Sequence, residues 1–260
     1  MWNELNSNII DNKIVYYYKN DQLIGKYIRE GNWFDVNIID IIKKNRIPNK
    51  DILDIGAFIG TVSLRLYDLI KDEVNTKIHS FEPRYYKCLK KNININKMSD
   101  KIILYEYGLA NNNGYINDHL NNNPDIVNLG GQALVKLFDG SKEIKIKNII
   151  EEKKKNDRNY KFKLKKLDDL KLNNIGFIKI DIEGMEIEAI KGSINTLKKN
   201  NYPPLYIELL AYEEKLMDPT KAMYDKNSKK VLKILNNLGY KCEPKFIKGI
   251  SRDYLFTHCK

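Results

Sequence analysis

Apolar positions along the chain follow two periods, and the alternation between them predicts the elements. Ile14-Val-Tyr-Tyr-Tyr18 and Leu23-Ile-Gly-Lys-Tyr-Ile28 are β-rich runs around polar Lys19–Gln22, which predicts an N-terminal hairpin. Phe34, Ile38, Ile41 and Ile42 recur at helical spacing and predict a helix to Arg46 that stops before Pro48. Asp51–Ile55 is strand-like and ends at a glycine, and Thr61–Ile70 is helical, with Leu64, Leu66 and Leu69 inward. A strand over Lys77–Phe81, a helix over Arg84–Asn96 opened by Pro83, and a strand over Ile102–Tyr107 follow. Strands and helices alternating at these spacings indicate a parallel sheet with helical crossovers. The alternation then breaks. Asn111–Gly131 reads as loop, and Ala133–Phe138 and Tyr160–Leu167 read as strands of an antiparallel excursion. Order resumes with a buried strand at Ile175–Ile180, a helix over Met185–Lys199 and a strand at Leu205–Leu209. A helix over Lys226–Leu238 is stopped by Gly239, and Tyr240–Ile247 with Arg252–Thr257 forms a closing antiparallel pair. The pattern describes one doubly wound, Rossmann-like α/β domain over 49–260. Residues 1–48 form a hairpin and helix that serve as lid or interface.

Composition narrows the field. At 260 residues and 42% hydrophobic, the chain can bury a substantial core and is not a disordered one. Its apolar runs are far shorter than the roughly 18 residues of a membrane span. The opening Met1-Trp-Asn-Glu-Leu-Asn-Ser7 has no basic, then apolar, targeting pattern. A soluble, cytoplasmic protein is expected. Cys88, Cys242, Cys259, His79, His119 and His258 are scattered without zinc spacing or a disulfide framework. Neither a P-loop nor a G-x-S-x-G elbow is present. Net charge is +11, which invites a nucleic-acid partner. Yet 32 asparagines, with abundant Ile, Lys and Tyr, look like the codon bias of an AT-rich genome. Moreover, Lys142–Lys166 carries 11 basic and 4 acidic residues, 11 − 4 = +7 of the total, with no aromatic before Tyr160. This basic insertion (near 140–166) reads as a solvated surface segment, so nucleic acid is the disfavoured partner.

Candidate chemistry lies where strands end, the usual ligand position of an open α/β sheet. Asp51-Ile-Leu-Asp54-Ile-Gly56-Ala57-Phe58-Ile-Gly60 runs strand into glycine turn into helix. Gly56 would let a ligand approach the turn, and Gly60 would let the helix start close to the sheet. Ile78-His-Ser-Phe-Glu82-Pro83 places an acid at the next strand end, 22 positions after Gly60, where a carboxylate can take both hydroxyls of a ribose. The turn reads D-x-G-x-x-x-G rather than the G-x-G-x-x-G of dinucleotide folds, whose second glycine admits a pyrophosphate. An acid leading the turn suits the positive amino-acid end of S-adenosylmethionine better than a pyrophosphate.

A third strand end, Phe177-Ile-Lys-Ile-Asp181-Ile-Glu183-Gly184, delivers two carboxylates, and Glu208 ends the neighbouring strand beside them. Carboxylates buried together need a counter-charge or donors nearby. Asp181 could otherwise simply cap the following helix.

These residues resemble the FkbM family of S-adenosylmethionine-dependent methyltransferases. The resemblance is carried by Asp54-Ile-Gly-Ala-Phe-Ile-Gly60, Ser80-Phe-Glu82-Pro83, Lys179-Ile-Asp181-Ile-Glu183-Gly184, Lys191-Gly192 and Ile207-Glu208. Asn128-Leu-Gly130-Gly131 and Leu167-Asp168-Asp169-Leu170 are similar to shorter family elements. The match runs in order from about Ile52 to Glu208. It implies a class I methyltransferase sheet and O-methylation, most often of a sugar hydroxyl or a hydroxyl on a small natural product. By position it implies that Asp54, Gly56, Ala57, Phe58, Gly60 and Glu82 hold the cofactor, that Tyr107-Gly108 lies near adenine, and that Asp181 and Glu183 face the methyl group. The basic insertion and the tyrosine hairpin depart from a compact member.

Methyl transfer to a hydroxyl calls for positioning and a base. Asp181 is the expected base, assisted by Glu183 and Glu208, which with it offer three oxygen ligands suited to Mg²⁺ rather than zinc. His119 in the Asn-rich loop is a rival base. A nucleic-acid 2′-O-methyltransferase would instead use a catalytic lysine, for which Lys179 is the candidate, and a non-catalytic carbohydrate-binding protein is a third reading. The Tyr16–Tyr18 cluster suits a core, a homo-oligomer interface or a sugar platform.

Overall fold

The structure is a computed structural model that describes residues 4–116, 129–130, 138–139, 142–143, 162–209, 219–243 and 252–259. Outside these fall His119, the predicted strand Ala133–Phe138 except its last residue, most of the basic insertion, and residues 244–247 of the predicted closing pair.

The chain opens with a hairpin, β1 (Leu5–Ile10) and β2 (Lys13–Tyr18). The expected hairpin, Ile14–Tyr18 with Leu23–Ile28, is therefore displaced by one element. Asp11 and Asn12 both take left-handed φ angles, 47° and 61°, the geometry a two-residue hairpin turn requires. Leu23–Ile28 is instead helical, α1 (Ile24–Arg29), because Ile24, Tyr27 and Ile28 repeat at three and four residues and the Asp21 carboxylate accepts from Leu23 N at its start. The next helix, α2 (Ile38–Asn45), is shorter than predicted. Asp35 is left-handed (φ 51°), and the carbonyls of Phe34 and Asp35 are taken by the buried Arg65 guanidinium at 3.1 and 3.0 Å.

The regular alternation follows as expected: β3 (Asp51–Ile55), α3 (Thr61–Ile70), β4 (Ile78–Phe81), α4 (Tyr86–Ile95) and β5 (Ile102–Tyr105). β6 (Gly108–Leu109) and β7 (Gly114–Ile116) come next, then a two-stranded ladder of β8 (Phe138–Asp139) and β9 (Lys142–Glu143). β10 (Phe162–Lys165) joins β6 in parallel and β7 antiparallel in a small satellite sheet, so the stretch expected to be all loop contributes a strand. β11 (Ile175–Ile180) leads to α5 (Glu186–Lys191) and α6 (Ile194–Lys199). The single helix expected over Met185–Lys199 is broken at Gly192-Ser193. A Cβ on Gly192 would lie 2.0 Å from the Ala110 carbonyl oxygen, and the Asp168 carboxylate caps the second helix through Thr196 N at 2.7 Å. β12 (Leu205–Leu209), α7 (Pro219–Asn237), β13 (Tyr240–Glu243) and β14 (Arg252–His258) complete the chain.

The main sheet has the order β13-β14-β12-β11-β3-β4-β5. Its strands are parallel except β14, which runs antiparallel to both neighbours. This is the doubly wound class I methyltransferase arrangement. β11, at the centre, is buried along its whole length and apolar except at Lys179, as a strand covered on both faces should be. One core packs the hairpin and α1–α4 on one face of the sheet, and a second packs α5–α7 on the other. No helix among the described residues is long and apolar enough to cross a membrane.

The hairpin joins the body through helix α4 rather than through a strand. Asn96 accepts from Ile14 N and donates to Ile14 O, at 2.9 and 2.8 Å. One turn earlier, Asn92 does the same for Tyr16 at 2.7 and 2.9 Å and also donates to Ile59 O in the glycine turn. Two amides at i and i+4 thus satisfy an edge that would otherwise need a neighbouring strand. Tyr17 and Tyr18 are buried in the shared core, and Tyr18 meets Tyr85 edge-on at 5.3 Å.

Candidate active site

The carboxyl ends of β3, β4, β11 and β12 and the amino end of the antiparallel β14 open onto one cavity of about 570 Å³, a size that suits a cofactor together with a small acceptor. Its first half is made chiefly of backbone. Gly56 N and Ala57 N donate to the Phe81 carbonyl, and Phe58 N donates to Glu82 Oε2 at 2.9 Å. Arg84 N and Tyr85 N donate to Glu82 Oε1 at 2.8 and 2.9 Å. Three of the roughly four lone-pair positions of this carboxylate are thereby filled and its orientation is pinned, with one direction left for a ligand hydroxyl. Burial pushes the Glu82 carboxyl up from its usual range, and the three amides pull it back.

Of the residues expected to hold a cofactor, Gly56, Ala57, Phe58, Glu82 and Gly108 line this cavity, and three do not. Asp54 is wholly buried beneath the floor, accepting from Ser63 Oγ at 2.6 Å and ion-paired to Lys179 at 3.3 Å. Its charge is already matched, so it cannot meet a ligand ammonium from there. Gly60 is the left-handed N-cap of α3 (φ 96°), and a Cβ there would strike Leu89 at 2.6 Å, so it serves helix packing. Tyr107 packs at the sheet edge, its ring 6.0 Å from Phe81 and covered by the Lys165 ammonium at 4.8 Å. The reason for Gly56 also changes. Its φ is +83°, and a Cβ would lie 1.8 Å from the Asp181 carbonyl oxygen, so the neighbouring strand requires this glycine before any ligand does.

The second half is made of side chains. Asp181, Glu183 and Glu208 come together as expected, each offering an oxygen within 4.8 Å of the others. Glu183 reaches the group by folding back on a left-handed turn with Gly184 (φ 51° and 102°), not by strand alternation. Asp253, cross-strand from Glu208, lines the same wall, and Asp35 faces them from the segment anchored by Arg65. Burial, then Asp181 and Glu183, push Glu208 up to about 9. Glu183 is pushed up to about 8 by burial, then Asp181 and Glu186, and Asp253 to about 6 by burial, then Asp181 and Asp35. At neutral pH this half therefore holds protonated carboxyls around Asp181. Asp181 itself sits 3.4 Å from the Lys179 ammonium, with its side chain 39% exposed to the cavity.

The three-carboxylate spacing would admit a divalent cation, but the Lys179 ammonium 3.4 Å from Asp181 opposes a second cation there, and Glu183 and Glu208 are pushed toward their protonated forms. The residues therefore fit a metal poorly. Lys179 is not a free lysine, because its ammonium donates to the Gly56 carbonyl and ion-pairs with Asp54 and Asp181.

Sequence reasoning missed Asp35, Arg65 and Asp253. Asp253 carried a weak signal as the acid opening the predicted strand Arg252–Thr257, whereas the other two are brought in only by tertiary packing.

A model of the methyltransferase FkbM domain matches residues 54–242. No curated protein matches significantly. Among solved structures, the chain is similar to a methyltransferase FkbM from Methylobacillus flagellatus KT, with 16% identity and a TM-score of 0.47 over 80% of this chain and 43% of that one. It therefore spans less than half of that relative's length. It is also similar to a SAM-dependent methyltransferase from Aquifex aeolicus, with 11% identity and a TM-score of 0.43 over 86% and 89%. A third is the SAH-bound methyltransferase PaMTH1 of Podospora anserina, with 12% identity and a TM-score of 0.41 over 81% and 72%.

Proposed function

The chain belongs to the FkbM methyltransferase family, and we propose that it uses S-adenosylmethionine to methylate a hydroxyl of a sugar or glycan, with Asp181 as the base. The observation that carries the reading is the position of Asp181: an ion-paired carboxylate, open to the cavity and continuous with the glycine turn through its backbone. The cofactor's chemistry is a methyl group on a sulfonium, which passes to the acceptor oxygen as the carbon–sulfur bond breaks and its electron pair stays on sulfur. Glu82 is suited to a ribose hydroxyl, and the backbone of Gly56–Phe58 and Gly108 forms the cradle. Asp181 takes the hydroxyl proton as the oxygen–carbon bond forms. Protonated Glu183 and Glu208 can donate hydrogen bonds to acceptor oxygens, and the rings of Tyr27, Trp33 and Phe34 along the same cavity suit the apolar face of a sugar.

Of the described side chains lining the cavity only Arg84 and Lys179 are basic, which offers a phosphate backbone few partners and speaks against the nucleic-acid reading. The test is calorimetric titration of the full chain with S-adenosylmethionine and S-adenosylhomocysteine, with NAD as control, followed by transfer to a panel of sugars and glycans. Micromolar binding of both compounds and a methylated sugar are expected. A folded protein that binds neither compound would overturn the enzyme reading in favour of carbohydrate binding alone.

A further inference from the structure

Lys179 is a charged residue in a central parallel strand, only 4% exposed and directly opposite Asp54 in the ladder. Its Nζ lies 2.9 Å from the Gly56 carbonyl oxygen, 3.3 Å from Asp54 Oδ1 and 3.4 Å from Asp181 Oδ2. Of its three N–H bonds, one goes to the Gly56 carbonyl, and the two carboxylates face the same ammonium as ion pairs. Each partner belongs to a different part of the site: the cofactor turn, the buried floor and the carboxylate wall. Asp54 is fixed in turn by Ser63, whose hydroxyl is 2.7 Å from that of Ser80, so the ammonium rests on a rigid base. Burial alone would push the Lys179 ammonium down, and the Asp181 and Asp54 carboxylates more than offset that and hold it charged.

We propose that Lys179 is the site's resident cation: a positioning residue whose ammonium serves Asp181 as counter-charge in place of a divalent metal and links that carboxylate to the Gly56 turn. Two consequences follow from the geometry. The ammonium lowers the attraction of the carboxylate wall for Mg²⁺, and it couples base and cofactor cradle because it donates to the Gly56 carbonyl and ion-pairs with Asp181. The inference rests on the reading of Asp181 as the base, but its test reads cation binding and is independent of methyl transfer.

The experiment titrates Mn²⁺ into the full-length chain, followed by electron paramagnetic resonance, with MgCl₂ as competitor. The wild type is expected to bind Mn²⁺ only weakly. K179M should bind it at least tenfold more tightly, with the gain abolished in K179M/D181N. Because K179M leaves Asp54 buried and uncompensated, D54N/K179M is prepared in parallel; it removes both charges, should fold, and should show the same gain. Tight Mn²⁺ binding by the wild type that disappears in D181N would overturn the proposal, since the site would then be a metal site. Equally weak binding by the wild type and D54N/K179M would overturn it too, because the ammonium would then not be standing in for a metal. Loss of methyl transfer in D181N, measured separately, bears on the base and not on this inference.

Discussion

The two halves of the cavity are built from different materials. The cofactor half is backbone: a glycine turn, a carbonyl from β4 and one carboxylate whose oxygens are filled by three main-chain amides. The acceptor half is side chain: carboxylates from β12, β14, the loop after β11 and the Arg65-anchored segment, crowded enough that Glu183 and Glu208 keep their protons. A surface made of backbone presents the same groups whatever residues decorate it, which suits a ligand that never varies. A surface made of side chains can be re-specified by single substitutions, which suits a ligand that differs from member to member.

The contrast can be broken most severely at the seam. Gly56→Ala places a Cβ against the Asp181 carbonyl at a positive φ, so both halves should be displaced. A loss of about 3 kcal/mol or more is expected in urea unfolding, combining strain and overpacking. Asp181→Asn should touch only the acceptor half. Turnover should fall by roughly 10³-fold, the range lost with a general base, while S-adenosylmethionine affinity stays within about tenfold. Near-normal turnover would remove Asp181 from its role. Glu82→Ala should touch only the cofactor half, weakening S-adenosylmethionine by about 100-fold in calorimetry as three amides lose their acceptor.

A milder probe is pH. Glu183 and Glu208 keep protons in the folded chain that the unfolded chain releases at ordinary carboxyl values, so folding is opposed once those values are passed. Stability should therefore fall as pH rises from about 5 toward the folded values and then level off, and Glu208→Gln should flatten that slope. The smallest effect is the control for Gly56. Gly31 has a similar φ of +79° but nothing within 4 Å of an added Cβ, so Gly31→Ala should cost only about 1 kcal/mol.

The same contrast explains what was legible in the sequence. β3, β4, β11 and β12 are short apolar runs punctuated by Gly or Pro, and their order survives reading because each buried strand is written locally. Glu82 and the glycine turn were legible for the same reason, being contiguous with those strands. The hairpin was misread because the Asp11-Asn12 turn has no glycine, while the tyrosine run looked like the first strand rather than the second. The helix over Met185–Lys199 was read through its break because the cause, the Ala110 carbonyl against Gly192, lies 82 residues away. Asp54 was placed in the ligand's path because spacing gives a strand end but not which face is covered, and Asp253 and Asp35 join the wall only through packing.

The two asparagines of helix α4 also set a schedule for the nascent chain. The hairpin leaves the ribosome before helix α4, and the amides that complete its free edge lie 76 and 82 residues further on. At 5–20 residues per second, roughly 4–16 s pass before they are made. A lone hairpin is marginal in water, so over that interval its tyrosine face and unpaired edge are open to the wrong partner. Synthesis past Asn96 closes that window, so the hairpin waits on a helix made later.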